Sequence, residues 1–169
     1  MQSITFQPSL RPALPEVNGC KEYREERQLF IRIDELLQTS GLENDFIDLC
    51  LQHRGDDPKE ITAKRLDSIA RHCVLALRSN IARHYKNLDH RDFCIRLADS
   101  PLLQWFLQIG RVEGVKAFAK SSSDRFAHII DEAGLRAINA RLIALLAGTH
   151  RPAGPLEFGL ETDIDFDDI

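Results

Sequence analysis

The residues of this chain best suited to chemistry are cations at helical spacing. Lys64, Arg71 and Arg78 recur every seven residues, and on a helix rising about 1.5 Å per residue that sets three positive charges on one line, about 10 Å apart. Such a line can follow phosphates. It can equally be a solvated face, because Asp67 lies three residues after Lys64 and four before Arg71 and can pair with either. A second group, Lys120, Ser121, Ser122, Arg125 and His128, combines serines able to cap a helix start with cations further along. A helix N-terminus offers unpaired N–H groups and a partial positive charge, which suits a phosphate. Arg125 and His128 are then placed to reach base edges.

Other constellations are weaker. Cys50/His53 and His90/Cys94 are each spaced to share one helical face, as zinc ligands would. They can equally be core thiols beside surface imidazoles. The four cysteines, at 20, 50, 73 and 94, form no C-x-x-C pair, which fits a reducing compartment better than a disulfide framework. Asp165, Asp167 and Asp168 are an oxygen-rich group, yet they lack the turn glycine and the following glutamate of a calcium loop. There is no G-x-G-x-x-G, no P-loop and no G-x-S-x-G. The expectation is a protein without catalytic residues, metal site or cofactor, and so not an enzyme.

The formal charge of −4 hides a division along the chain. Between Lys59 and Arg141 there are 15 Lys and Arg against 9 Asp and Glu, with four His besides. The last thirteen positions hold Glu157, Glu161, Asp163, Asp165, Asp167 and Asp168 without a Lys or Arg. A basic body can hold phosphates, and the acidic end needs a separate account. No apolar run approaches the ~20 residues of a membrane span, and the first residues lack the basic start and apolar stretch of a secretion signal. A soluble, cytoplasmic, nucleoid-associated protein is expected.

Periodicity supplies the elements that must position these residues. Residues 1–20, with Pro8, Pro12 and Pro15, read as an extended arm. Residues 21–38 read as a helix burying Phe30, Ile33, Leu36 and Leu37, ended by Gly41. Ser40 and Glu43 have capping-box spacing for the next, which Gly55 closes. Asp57, Pro58 and Glu60 then look like the start of a long helix reaching about Lys86, with Ile61, Leu66, Ile69, Ala70, Cys73, Leu77 and Ile81 inward. Asp89 caps a helix burying Phe93, Leu97 and Ile95. In "DSPLLQWFLQIG", Ser100 and Pro101 open a short helix apolar on most sides, hence buried, with Trp105 at its centre. A Ser-capped helix in "AFAKSSSDRFAHIIDEAG" follows, with Phe126, Ile129, Ile130 and Ala133 inward and Gly134 ending or kinking it; a last helix stops at Gly148. The fold expected is an all-α helical bundle over 21–148 with a helix-turn-helix-like unit, an extended N-terminal arm, and an acidic tail over 149–169.

Residues 91–143 bring a resemblance. The wedge Asp99, Leu102 or Leu103, Trp105 and Phe106, followed by Lys120, Ser121, Ser122 and the pair Arg125–Phe126, resembles the N-terminal region of bacterial insertion-sequence transposases of the DDE type. This chain departs from that pattern in having Phe118–Ala119 where a Pro precedes the Ser/Lys cluster. The resemblance implies a region that binds the terminal inverted repeats of an element in double-stranded DNA, alone or as a homodimer. It also implies a following RNase H-like domain whose three carboxylates hold Mg2+. The alternation of Ile164, Phe166 and Ile169 with Asp163, Asp165 and Asp167 reads as a lead-in strand to that domain, which is itself missing. No membrane and no small-molecule substrate are expected. The alternative is a stand-alone helical protein-interaction module or regulator, its basic stripe only a solvated surface.

Overall fold

The computed structural model describes residues 13–14, 16–57, 59–109 and 114–149. Most of the expected arm, Pro58, Gly110 and the acidic segment after Thr149 lie outside them. Among the described residues the chain folds into seven α-helices: α1 (Lys21–Ser40), α2 (Leu42–Arg54), α3 (Ala63–Tyr85), α4 (His90–Asp99), α5 (Pro101–Phe106), α6 (Lys120–Ala127) and α7 (Glu132–Thr149). The all-α bundle read from periodicity is the fold observed.

The helices α1 and α2 meet at one residue. Gly41, at φ 75°, is the C-cap of the first and the N-cap of the second, and this left-handed conformation favours a residue without Cβ. The expected capping box does not form. Ser40 Oγ accepts from Leu42 N at 3.2 Å, while the Glu43 side chain turns inward. Arg141 of α7 clasps the corner by pairing with Asp45 and donating to the Ser40 carbonyl at 3.2 Å.

The long helix begins later than Asp57. Asp57 Oδ1 accepts from Lys59 N at 2.9 Å and its carbonyl from Glu60 N at 3.0 Å, so Asp57 makes a turn. Thr62 is the cap instead, accepting from Arg65 N. Ile61 and Leu66, both half-buried against the core, occupy the staple positions either side of it. Apolar side chains flanking the cap decided between two local starts.

Three helices end with the double hydrogen-bond closure that needs a left-handed residue just past the last turn. That residue is Gly55 after α2, Asn87 after α3 and Gln108 after α5, the last two at φ 47° and 58°. Thus "DSPLLQWFLQIG" stops at Gln108, ahead of its glycine. Ser100 caps α5 by accepting from Leu103 N, with Pro101 in the first turn, as the corner reading required. Within α5, Leu102, Leu103 and Phe106 are buried, but Trp105 is only half-buried. Phe106 holds the central place instead, its ring 4.8 Å from that of Phe30, which in turn meets Tyr85 at 5.3 Å. Ile95 on α4, expected inside, is 52% exposed.

Gly134 neither ends nor kinks a helix. α6 finishes at Ala127, and Asp131 Oδ1 starts α7 by accepting from Gly134 N at 2.8 Å. A Cβ at 134 would lie 3.0 Å from that carboxylate oxygen and 3.1 Å from Ile130 Cδ1, so glycine leaves room for the cap. Ala133, expected inward, is exposed on α7. α6 packs on α3 and α4, α5 on α1 and α4, and α7 on α1 and α2.

One ionic cluster ties α1, α2, α3 and α5 together. Arg78 is 0% exposed and donates through Nε to Glu43 Oε1 and through Nη1 to Asp34 Oδ1, both at 2.6 Å. Nη1 also reaches the Phe106 carbonyl at 2.8 Å, and the guanidinium lies 5.2 Å from the centre of that ring. α1, α2, α3 and α5 therefore share one side chain. Removing it strands two buried carboxylates, so Arg78→Ala should cost about 3–5 kcal/mol in chemical denaturation. Replacing all three charges with Leu or Met should recover most of that loss, and a triple variant as unstable as the single one would show that packing dominates there. Gln108→Gly should add about 1 kcal/mol by relieving the left-handed backbone; no gain in the denaturation midpoint would mean that the Gln108 side chain offsets the strain.

Candidate nucleic-acid interface

The helix α6 is held by neutral contacts. Asn80 of α3 donates to the Phe126 carbonyl at 2.8 Å, the His72 ring meets the Phe126 ring edge-on at 5.1 Å, and Phe118 meets it at 5.2 Å. On the α4 side, His90 Nδ1 lies 2.9 Å from Ser123 Oγ, and His90 Nε2 lies 3.9 Å from Asp124 Oδ1. Serine, histidine and aspartate so arranged suggest a nucleophilic triad, whose hydroxyl must face a substrate. Ser123 is 2% exposed and faces α4, so the trio acts as a joint between two helices.

Seated in this way, α6 brings cations from several helices together. Arg54, at the end of α2, and Arg125 of α6 both act electrostatically on His72 of α3. At the other end of the contact, Arg83 of α3 with Lys120 and His128 of α6 act on His90. His72 is held below the ordinary imidazole value, first by partial burial and then by Arg54 and Arg125. His90 is held down by burial, then by Arg83, with Asp124 opposing and Lys120 and His128 adding to the depression. Burial comes first in both depressions and the neighbouring cations second. Acidic groups sit among these cations: Asp124, Asp56 at 2.7 Å from Arg54, and Asp89, which acts on Arg83 and Lys120.

The predicted site residues divide. Lys120, Ser121, Arg125 and His128 are exposed on or just after α6, with Ser122 half-buried. Arg125 lies back along its own helix, donating to the Ser121 carbonyl and to Ser122 Oγ, each at 3.2 Å. Ala119 is the N-cap and gives no side-chain cap, so the serines do not cap α6. The seven-residue line on α3 breaks. Lys64 and Arg71 are exposed, Arg71 bonded to Asp67 at 2.9 Å, whereas Arg78 is buried in the ionic cluster and offers nothing to a ligand. Spacing marks His90 only as a possible zinc partner of Cys94, and marks Arg54, Arg83 and His72 as no site. They lie on α2, α3 and α4, and the basic surplus counted over 59–141 includes Arg83 but not Arg54.

Neither zinc pairing is assembled. Cys50 is buried and shares a hydrogen bond with Cys73 across the α2–α3 contact, which with burial pushes its thiol up, while His53 is exposed. Among the described residues no group of three His, Cys, Asp or Glu could hold a metal ion, and no helix is long and apolar enough to cross a membrane. Comparison with protein-family models, curated proteins and solved structures finds no match to this chain.

The depressed histidines carry a pH consequence. An unfolded imidazole titrates near about 6.5, so between that value and the lower folded one the unfolded chain binds more protons. The histidine contribution to stability is complete above about pH 6.5 and is lost as pH falls through this window. In a proton NMR titration the His72 and His90 ring signals should have midpoints below about 6.5. Midpoints at or above it would remove the positive surroundings of both groups.

Proposed function

We propose that this chain is a duplex-DNA-binding module that holds phosphates on the face built by α6, α3 and the end of α2, as the DNA-binding part of an insertion-sequence transposase would. The observation that carries the reading is the packing of α6 on α3 and α4 through Phe126 and Ser123, which sets Lys120, Arg125 and His128 beside Arg54 and Arg83 around His72 and His90. A polyanion laid across such a face supplies the missing negative charge and releases its counterions. In this reading α5 and α6, each packed on α4, stand for the helix-turn-helix-like unit. Because Arg125 lies along its own first turn, its role in this reading is a phosphate clamp more than a base reader. The partner is double-stranded DNA, with element ends as the specific target. The face so read supplies binding and no cutting; the carboxylate triad and its Mg2+ are properties of the catalytic domain that the resemblance implies.

The test is duplex binding as a function of salt. Four phosphate contacts at about 0.9 each give a log–log slope of about −3 to −4. Arg54→Ala, Lys120→Ala and Arg125→Ala should each flatten it by about 1 and weaken an element-end duplex and a scrambled one alike. Loss confined to the element-end duplex for Arg125→Ala, about 1–3 kcal/mol, would restore it as a base reader. Salt-independent or absent binding would leave the protein-interaction reading. Mg2+-dependent nicking abolished by Asp167→Ala would overturn binding without cutting.

A further inference from the structure

We propose that the acidic segment Glu157–Asp168 docks on this same basic face of its own chain and competes there with nucleic acid. The inference rests on the nucleic-acid reading of the face and adds its regulation. Six carboxylates fall within that segment without a Lys or Arg, whereas the face that α6 makes with α3 and α4 through Asn80, His72 and His90 carries Arg54, Arg83, Lys120 and Arg125 against Asp56, Asp89 and Asp124. Glu161, Asp163, Asp165 and Asp167 are spaced two apart. In an extended chain that sets a carboxylate about every 7 Å along one side, a line of charge of the kind a phosphate backbone offers.

The tether is long enough. Helix α7 ends at Thr149, and "HRPAGPL" separates it from Glu157. Extended, those residues span about 25 Å and the acidic stretch about 40 Å more, against a body whose radius of gyration is about 14 Å. Every face of the body is therefore within reach. An attached segment of this length has an effective concentration near the millimolar range, so weak individual ion pairs suffice for competition at low salt. Screening over about 8 Å at physiological ionic strength weakens the contact, which makes the competition adjustable.

Two measurements on the full chain test this. Carbodiimide cross-linking followed by peptide mass spectrometry should join carboxylates of 157–168 to Lys120 in preference to Lys21 on α1. Neutralising the six acids (Glu157→Gln, Glu161→Gln, Asp163→Asn, Asp165→Asn, Asp167→Asn, Asp168→Asn) should tighten binding of a random duplex about five- to tenfold at low salt, with the gain fading as salt rises. Neutralising six exposed acids outside the segment and not placed on the face (Glu16, Glu22, Glu25, Glu35, Asp48 and Asp99) controls for net charge, and an equal gain from that variant would overturn docking. Cross-links on Lys120 with no duplex binding by either chain would keep docking and remove the nucleic-acid reading. Equal duplex binding by both chains, with cross-links as frequent on Lys21, would remove docking and keep the reading.

Discussion

The guanidinium of Arg78 is the interaction on which the rest of the bundle depends. An arginine with no exposed surface must have its charge matched, and its planar fork takes partners only from fixed directions; Nε and Nη1 have them, while Nη2 is buried without one among the described residues. The partners arrive on three other helices: Asp34 from α1, Glu43 from α2 and the Phe106 carbonyl from α5. Asp34 also accepts from Gln38 at 2.8 Å, which steadies the carboxylate on its own helix. A set of apolar residues could fill the same volume with comparable stability. What the ionic cluster adds is register, since sliding any one of the helices by a residue leaves a buried charge unmatched.

The cluster also explains what the sequence could and could not disclose. Apolar spacing of 3.6 identifies a helix and its inward stripe, and the helices starting at Lys21, His90 and Pro101 were legible from caps and stripe alone. A spacing of seven places Arg71 and Arg78 on one line but cannot say what covers the line. α3 is open to solvent at its first turns and roofed by α1, α2 and α5 at Arg78, so one line of cations has two environments. Ile95 failed in the opposite sense: it has an apolar side chain, but no helix packs over that part of α4. Trp105 and Phe106 are adjacent on a short helix, and which ring took the centre was fixed by Phe30 and Tyr85, both distant in sequence.

Local starts and stops show a similar limit. Asp57 and Thr62 are both competent caps, and Thr62 prevails because Ile61 and Leu66 can then rest on the core. Asn87 and Gln108 take left-handed conformations that a glycine would adopt at less cost, and the closing hydrogen bonds to Arg83 and Gln104 carbonyls hold them there. The candidate face was less legible than the fold. Lys120, Arg125 and His128 could be marked because they are close in sequence, but Arg54 and His72 join them only through the packing of α3 against α2 and α6.

Charge asymmetry in this body is therefore a product of folding more than of residue order. Four carboxylates of α1 and α2 are matched by cations outside α6: Asp34 and Glu43 on Arg78, Glu26 on Lys86, Asp45 on Arg141. α6, by contrast, is fastened by an amide, ring edges and a buried hydroxyl, none of which neutralises a cation. Arg125 hydrogen-bonds to uncharged oxygens of its own helix, and Lys120 makes no ion pair with a described residue. α3 connects the two sides. Its inner line, ending at Arg78, holds the carboxylates inside, while its outer residues His72 and Asn80 seat α6 without using up charge. The surface carries acids of its own, Asp56 on Arg54, Asp124 beside His90 and Asp89 near Arg83 and Lys120, so its positive surplus is small and rests on how α6 is seated.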